Sequence, residues 1–439
     1  MTTHFDTLGL RPELTQAVSE RGYTAPTDIQ AQMIPVMLTG VDVIGQAQTG
    51  TGKTAAFSLP ILHNLIAGQN RPQALILSPT RELAIQVAGA MREYGSRVDV
   101  RVTAIYGGSP YGRQISALRR GVDVVVGTPG RLLDLLKRGV LDLSGIRTLV
   151  LDEADEMLSM GFIEDIETIL QATPEGRQLA LFSATMPPAI RRLAGRYLHE
   201  PQSVTVQRAQ RTVASIEQRY YLVNPHEKLA ALTRLFEMED ITRALIFVRT
   251  RAGTDELANA LASRGIPAEM LNGDLSQEAR ERVMRRFRDD RIKVLVATDV
   301  AARGLDVDDI SHVFNYDLPD SPEVFVHRIG RTARAGKDGI AITLVTPPEQ
   351  RTLRRIEQYT GQPQTRLPIP TKEAILEKRK QHTIQRMEVW LRRGRYKNEQ
   401  EMVAALVEAG HDPLEVAAAA LRLAREAERQ RPIEHISEV

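Results

Sequence analysis

The feature that most constrains this chain is a recurrence of short, apolar, β-rich runs, each followed by a stretch with helical spacing. Residues 42–44, 74–77, 123–126, 148–151 and 178–182 form one series; residues 244–248, 293–296, 312–315 and 340–344 form a second. Strands that are apolar almost throughout and alternate with helices belong to parallel sheets covered on both faces. The expected class is therefore α/β, and 439 residues exceed what one core usually organises. The two series place a first domain at 1–206 and a second at 216–364, with the polar, aperiodic stretch 207–215 as linker. Three prolines and Gly361 within 361–370 mark a further boundary. From there 365–439 is an all-helical segment, with helical patterns at 372–393, 399–409 and 413–429.

Composition narrows the chemistry. The chain has no cysteine, which excludes disulfides, thiolate metal sites and cysteine nucleophiles. No apolar run approaches the roughly 18 residues of a membrane span, and residues 1–10 lack the basic-then-apolar pattern of a secretory signal. A cytoplasmic location, away from any membrane, is the expectation. The net charge is only +2, so a nucleic-acid surface has to come from local placement of Arg and Lys or from backbone groups.

Ala47-Gln48-Thr49-Gly50-Thr51-Gly52-Lys53-Thr54 follows a predicted strand and opens a predicted helix. Its spacing is that of a phosphate loop, with Ala47 where the usual pattern has Gly. Glycines let backbone N–H groups wrap phosphates, and the helix start adds partial positive charge. Lys53 is placed to reach the β- and γ-phosphates of a nucleotide, and the Thr54 hydroxyl to ligate Mg²⁺. Asp152-Glu153-Ala154-Asp155 follows the apolar run 149–151, which puts carboxylates at the carboxyl edge of a parallel sheet, where such folds bind ligands. Asp152 suits Mg²⁺; Glu153 suits orienting and deprotonating a water. By itself the acidic stretch reads equally well as a helix start favoured by the dipole.

Taken in order, these motifs and those below resemble the DEAD-box family of ATP-dependent RNA helicases over residues 5 to about 345. The resemblance implies two tandem RecA-like domains that use ATP and Mg²⁺, bind RNA with little sequence preference, and close on both to separate duplexes locally. Gly22-Tyr23-Thr24-Ala25-Pro26-Thr27-Asp28-Ile29-Gln30, with Phe5 upstream, is similar to the family's adenine-reading segment. Gln30 can donate and accept at once; Thr27 belongs to the same contact, and Phe5 or Tyr23 supplies a ring. Ser183-Ala184-Thr185 resembles the segment that couples hydrolysis to RNA binding, its hydroxyls bonding the Asp155 carboxylate. Asp306 resembles the ribose contact. In His327-Arg328-Ile329-Gly330-Arg331-Thr332-Ala333-Arg334, the resemblance makes Arg331 and Arg334 arginine fingers and pairs His327 with the acidic motif. Ala333 stands where the family usually has Gly. Intact Lys53, Glu153, Arg331 and Arg334 speak against a clamp that binds ATP without turnover, and the Gln30 segment speaks against a DNA translocase.

The resemblance also implies RNA contacts at Pro79, Thr80 and Arg81, at Gly107 and Gly108, and at Thr128, Pro129, Gly130 and Arg131. In the second domain it implies Arg249, Thr250, Gln277, Arg280, Thr298, Asp299, Arg303 and Gly304. Arg, Thr and exposed glycine amides suit phosphate and sugar, and the 2′-hydroxyl distinguishes RNA from DNA.

The helical segment is similar to that of bacterial cold-shock-type members of the family, most clearly at residues 412–419. Two readings stand: an appendage packed on the second domain, or a homodimerisation module. Residues 372–397 carry nine Lys/Arg against three Asp/Glu, and 398–439 four against nine, which suits an antiparallel self-contact. Arg392, Arg393, Arg395 and Lys397 could instead meet RNA phosphate.

Overall fold

The computed structural model describes residues 4–47, 50–206, 216–302, 307, 309–333, 338–425 and 433–437. They fall into two compact units, one on each side of 207–215. The strands described in the first unit are β1 (Val43–Gln46), β2 (Ala74–Leu77), β3 (Val102–Ile105), β4 (Val124–Gly127), β5 (Thr148–Leu151), β6 (Gln178–Ser183) and β7 (Gln202–Thr205). They form one sheet in the order β3-β4-β2-β5-β6-β1-β7, parallel throughout. Because β6 lies between β5 and β1, the loops leaving these three strands emerge side by side at the carboxyl edge. That is how the fold gathers residues 47–54, 152–155 and 183–185.

The second unit contains β8 (Ile216–Leu222), β9 (Ala244–Phe247), β10 (Ala268–Leu271), β11 (Val294–Ala297), β12 (His312–Asn315), β13 (Gly339–Val345) and β14 (Thr365–Arg366). Their order, β10-β11-β9-β12-β13-β8-β14, repeats the first sheet strand for strand.

The apolar runs are the central strands, as their sequence demands. Every residue of β2, β4 and β5 is buried, and successive side chains feed different cores. Ile76, Val126 and Val150 pack into the cluster on one face, and Leu75, Leu77, Val125, Leu149 and Leu151 into the cluster on the other. Each such aliphatic side chain contributes roughly 1.5–3 kcal/mol on burial.

Five strands have no counterpart among the apolar runs: β3, β7, β8, β10 and β14. All lie at a sheet edge or, for β8, next to one. An edge strand is wet on one side, so its burial is broken: β7 buries only Val204, and β10 only Leu271. The pairing of β14 with β8 carries the second sheet to Arg366, past the boundary at 364.

Beyond the sheet run the helices Lys372–Arg393, Lys397–Glu408 and Pro413–Ala424. The first docks on the helix Lys228–Met238, with Ile375 buried and Arg379 paired to Glu237 at 2.8 Å. Residues 433–437 return to the same unit. Ile436 packs on its core, the Glu434 carboxylate meets Arg264, and the Ser437 N–H and hydroxyl donate to Glu227 Oε1 at 2.8 and 2.7 Å. Among the described residues no helix is long and apolar enough to cross a membrane.

Candidate nucleotide and RNA sites

The phosphate loop leaves β1 and enters the helix Lys53–Asn64 through two left-handed glycines, Gly50 (φ 82°) and Gly52 (φ 93°). The segment around Thr27 braces it. Thr27 Oγ1 donates to the Thr51 carbonyl at 2.8 Å, and Gln30 Nε2 to the Gly52 carbonyl at 3.1 Å, while Gln30 Oε1 accepts from Thr27 N at 2.9 Å. The Gln30 amide thus bonds the loop itself and keeps one N–H and one lone pair for a ligand. Gly52 is required twice over: its φ is left-handed, and an added Cβ would sit 2.4 Å from Gln30 Nε2.

Among the described residues, Lys53 Nζ and Asp152 Oδ1 are buried with no hydrogen-bond partner. Orphaned buried charges of opposite sign are costly unless a ligand completes them. Burial pushes the Asp152 carboxyl up to about 7, against the pull of the Lys53 ammonium. No cluster of three or more His, Cys, Asp or Glu that could hold a metal occurs among the described residues. Mg²⁺ bound beside phosphates needs none, because one carboxylate, a hydroxyl, phosphate oxygens and water suffice. Asp152 and Thr54 fit that donor set.

Glu153 is buried and has a left-handed backbone (φ 52°), a strained conformation of the kind found at functional positions. Asp155 accepts from both the N–H and the hydroxyl of Thr185 at 2.8 Å. Ser183 does not bond the Asp155 carboxylate as the sequence reading had it. Its hydroxyl accepts from the Asp155 N–H at 3.3 Å and donates to the Thr185 carbonyl at 2.6 Å, because a side chain inside β6 is too near the strand end to reach past the backbone. Phe5 is buried in the core of the first unit, and Tyr23 lies edge-on to Tyr94, ring centroids 6.3 Å apart. Phe5 thus packs in the core, while Tyr23 keeps an exposed ring.

Gln48, Thr49, Arg303, Gly304, Asp306 and Arg334 lie outside the described residues.

Several of the RNA segments occupy helix starts that follow parallel strands. Thr80, Thr128 and Thr250 are the N-caps of the helices Arg81–Tyr94, Pro129–Lys137 and Arg251–Ser263. Helix N-termini are suited to phosphate. In the first unit three of the segments meet. Arg81 lies over the Tyr106 ring at 4.5 Å, and Arg131 donates to the Ser109 carbonyl at 3.0 Å and stacks on Tyr111 at 4.0 Å, with exposed Gly107 and Gly108 in the same loop. Tyr106, Tyr111 and Gln114, which accepts from Arg131 at 3.3 Å, were not singled out in the sequence. Pro79 and Pro129 are buried and shape turns.

In the second unit the main omission is Arg328. It is buried and grips both oxygens of Asp299, at 2.6 and 2.9 Å, as well as the Asn315 side chain and the Asp317 carbonyl. Asp299 is therefore a group held by protein, with its carboxylate already occupied. Asp317 in turn accepts from the Arg249 N–H at 2.9 Å. A signal was present: Arg328 falls three residues after buried Phe325 and beside buried Ile329, on the inward face of its helix. Thr298 is buried, Gln277 bonds Glu281 at 2.8 Å, and Arg280 bonds the Ala301 carbonyl at 2.5 Å. Arg331 is buried and donates to the His327 carbonyl at 3.3 Å. Ala333 adopts φ 55°, the left-handed region that glycine occupies freely.

Two parallel sheets of one topology, the first with a braced phosphate loop and a buried acidic strand end, define a tandem RecA-like ATPase. The model of DEAD/DEAH box helicases matches residues 27–193, and that of the helicase conserved C-terminal domain matches residues 227–336. The chain is 45% identical over 433 residues to the DEAD-box ATP-dependent RNA helicase CshA of Bacillus subtilis, covering 99% of this chain and 87% of that protein. It is 50% identical over 387 residues to CshA of Geobacillus kaustophilus, covering 88% and 83%. Yeast Dbp5 bound to RNA and ADP BeF3 superposes with a TM-score of 0.78 at 36% identity, over 87% of this chain and 99% of that one. The chain belongs to the DEAD-box family: it is an ATP-dependent RNA helicase, an RNA-stimulated ATPase.

Proposed function

We propose that the chain binds MgATP on its first unit and RNA on both, and that joint binding closes the units and separates RNA duplexes locally, without long-range travel. The buried, unpartnered pair Lys53 Nζ and Asp152 Oδ1 carries this reading. Lys53 neutralises the β- and γ-phosphates, and the amides of residues 50–53 follow the phosphate chain. Gln30 reads adenine with its remaining N–H and lone pair, and Asp306 takes the ribose. Mg²⁺, held by Asp152 and Thr54, supplies charge neutralisation across the phosphates. Glu153 orients the attacking water and takes its proton. Arg331 and Arg334 come to the γ-phosphate on closure and stabilise the charge that develops there. The Asp155–Thr185 bonds tie the acidic motif to the end of β6, the element through which RNA binding is felt. The cytoplasm is the proposed location.

The test is ATP hydrolysis with and without RNA, in wild type and Glu153→Gln. RNA stimulation lost by roughly a hundredfold or more in the variant is the expected result for removal of a general base. Equal turnover without RNA would overturn the coupling.

A second reading concerns assembly. Ile384, Trp390, Leu391, Met402 and Leu414 are 48–78% exposed. The second unit covers the start of the segment, at Ile375, and its return at residues 433–437. The appendage reading thus accounts for both of these stretches. For the remainder we propose a second copy of the chain, its basic 372–397 stretch against the acidic 398–439 stretch.

A further inference from the structure

The edge of the first sheet opposite the phosphate loop holds a cleft of about 530 Å³. Its walls are the segments that enter β2, β5 and β6, three adjacent strands, so it lies at their amino ends. Arg71, Arg147 and Arg177 line it, and no Asp or Glu does.

Three guanidiniums around one cavity repel one another, and the carboxylates that act against this, Asp42 and Glu175 near Arg177 and Asp142 near Arg71, stand outside its lining. Arg147 spends one bond on the Asn64 carbonyl at 3.1 Å, and Arg177 one on the Pro174 carbonyl at 2.7 Å. Arg177 Nε is buried without a partner among the described residues. Arg71 lies flat across Gly145, where even a Cβ would come within 2.7 Å of it. Two of these carboxylates also accept hydrogen bonds from other groups. Asp42 accepts from the N–H groups of Leu179 and His199 at 2.6 and 2.7 Å, and Asp142 accepts from Ser144 at 2.9 and 3.0 Å. Burial lowers the Arg177 pKa from its ordinary value, which an anion beside it would reverse.

We propose that this cleft binds a small soluble anion carrying two or more phosphate groups. Guanidinium forks match phosphate oxygens in pairs, and three forks around one space suit a chain of phosphates better than a single carboxylate. The volume is that of an ordinary small-ligand site. The ligand differs from the ATP of the phosphate loop in place, and of the three glutamines that line the cleft, Gln73 and Gln178 are spent on backbone groups of Ile66, Met37 and Val41.

Inorganic tripolyphosphate is the probe, titrated calorimetrically into the full chain with its phosphate loop disabled by Lys53→Ala, so that no second polyphosphate competes for the cleft. One saturable site is expected, weakened at least tenfold in Arg71→Ala/Arg147→Ala and partly restored in Arg71→Lys/Arg147→Lys. Both residues are exposed, and an unchanged melting curve verifies that the variants fold. A parallel titration with CTP identifies the source. Tighter binding than tripolyphosphate means a nucleotide-borne chain, and equal binding means that the phosphates alone are read. Unsaturable binding, or binding equal with and without the double alanine substitution, overturns the proposal.

Discussion

At the scale of single residues, the site concentrates costs that a merely structural region would avoid. Lys53 Nζ and Asp152 Oδ1 are buried without hydrogen-bond partners among the described residues, and Glu153 is held left-handed at the end of β5. The same strain at Ala333 has a different origin: the position calls for glycine and has a methyl group instead. An L-residue in this region costs about 1–2 kcal/mol, and glycine would give back roughly 0.5–1 kcal/mol in backbone entropy. Ala333→Gly is therefore expected to stabilise the second unit by up to about 1 kcal/mol, read as a higher denaturation midpoint at unchanged slope. A lower midpoint would show that the methyl group packs favourably enough to outweigh the strain.

At the scale of elements, the end of the docked stretch 433–437 is held by one carboxylate. Glu227 accepts from the Ser437 N–H and hydroxyl and from Asn224 at 2.9 Å, bonds that pull its pKa down to about 2 from an ordinary 4.5. Because the folded value is the lower one, the contact is fully present above pH 4.5 and is lost as pH falls through about 2. Exchange of the Ser437 amide, corrected for its intrinsic pH dependence, should stay equally slow at pH 7 and pH 5. Glu227→Ala should speed it at least tenfold at both. A rate that rises between pH 7 and pH 5 would mean that another group holds the tail. The grip of Arg328 on Asp299 is a similar case. The Asp299 carboxylate, which the resemblance places at the RNA surface, is held from within the fold.

At the scale of the whole molecule, the two units share one strand order yet carry different chemistry. The first has the phosphate loop and acidic strand end, and the second has the arginine-bearing helix. Past the second sheet, apolar side chains such as Leu391 (60% exposed) and Met402 (69%) lack the cover that Ile375 has. If a second copy supplies it, light scattering should give twice the chain mass for the full protein and the monomer mass for a chain ending after Pro370. Leu391→Glu/Met402→Glu should likewise be monomeric with RNA-stimulated hydrolysis retained. A full-length monomer at micromolar concentration would remove the dimer.

The sequence by itself determined the central strands and the nucleotide motifs. A strand buried on both faces must be apolar throughout, and a phosphate loop must place its glycines and lysine at fixed spacing; both are local patterns. Edge strands such as β7 and β10 escaped because a half-wet strand carries no continuous signal. Hydrogen-bond partners escaped for another reason. Whether the Gln30 amide meets the Gly52 carbonyl, whether Ser183 or Thr185 takes Asp155, and whether Ser437 reaches Glu227 all depend on how distant segments are brought into register. The same holds for the three arginines of the rear cleft, which come from separate loops and share a cavity only because β2, β5 and β6 are neighbours. Those pairings are decided by packing across the sheet, which no local pattern encodes.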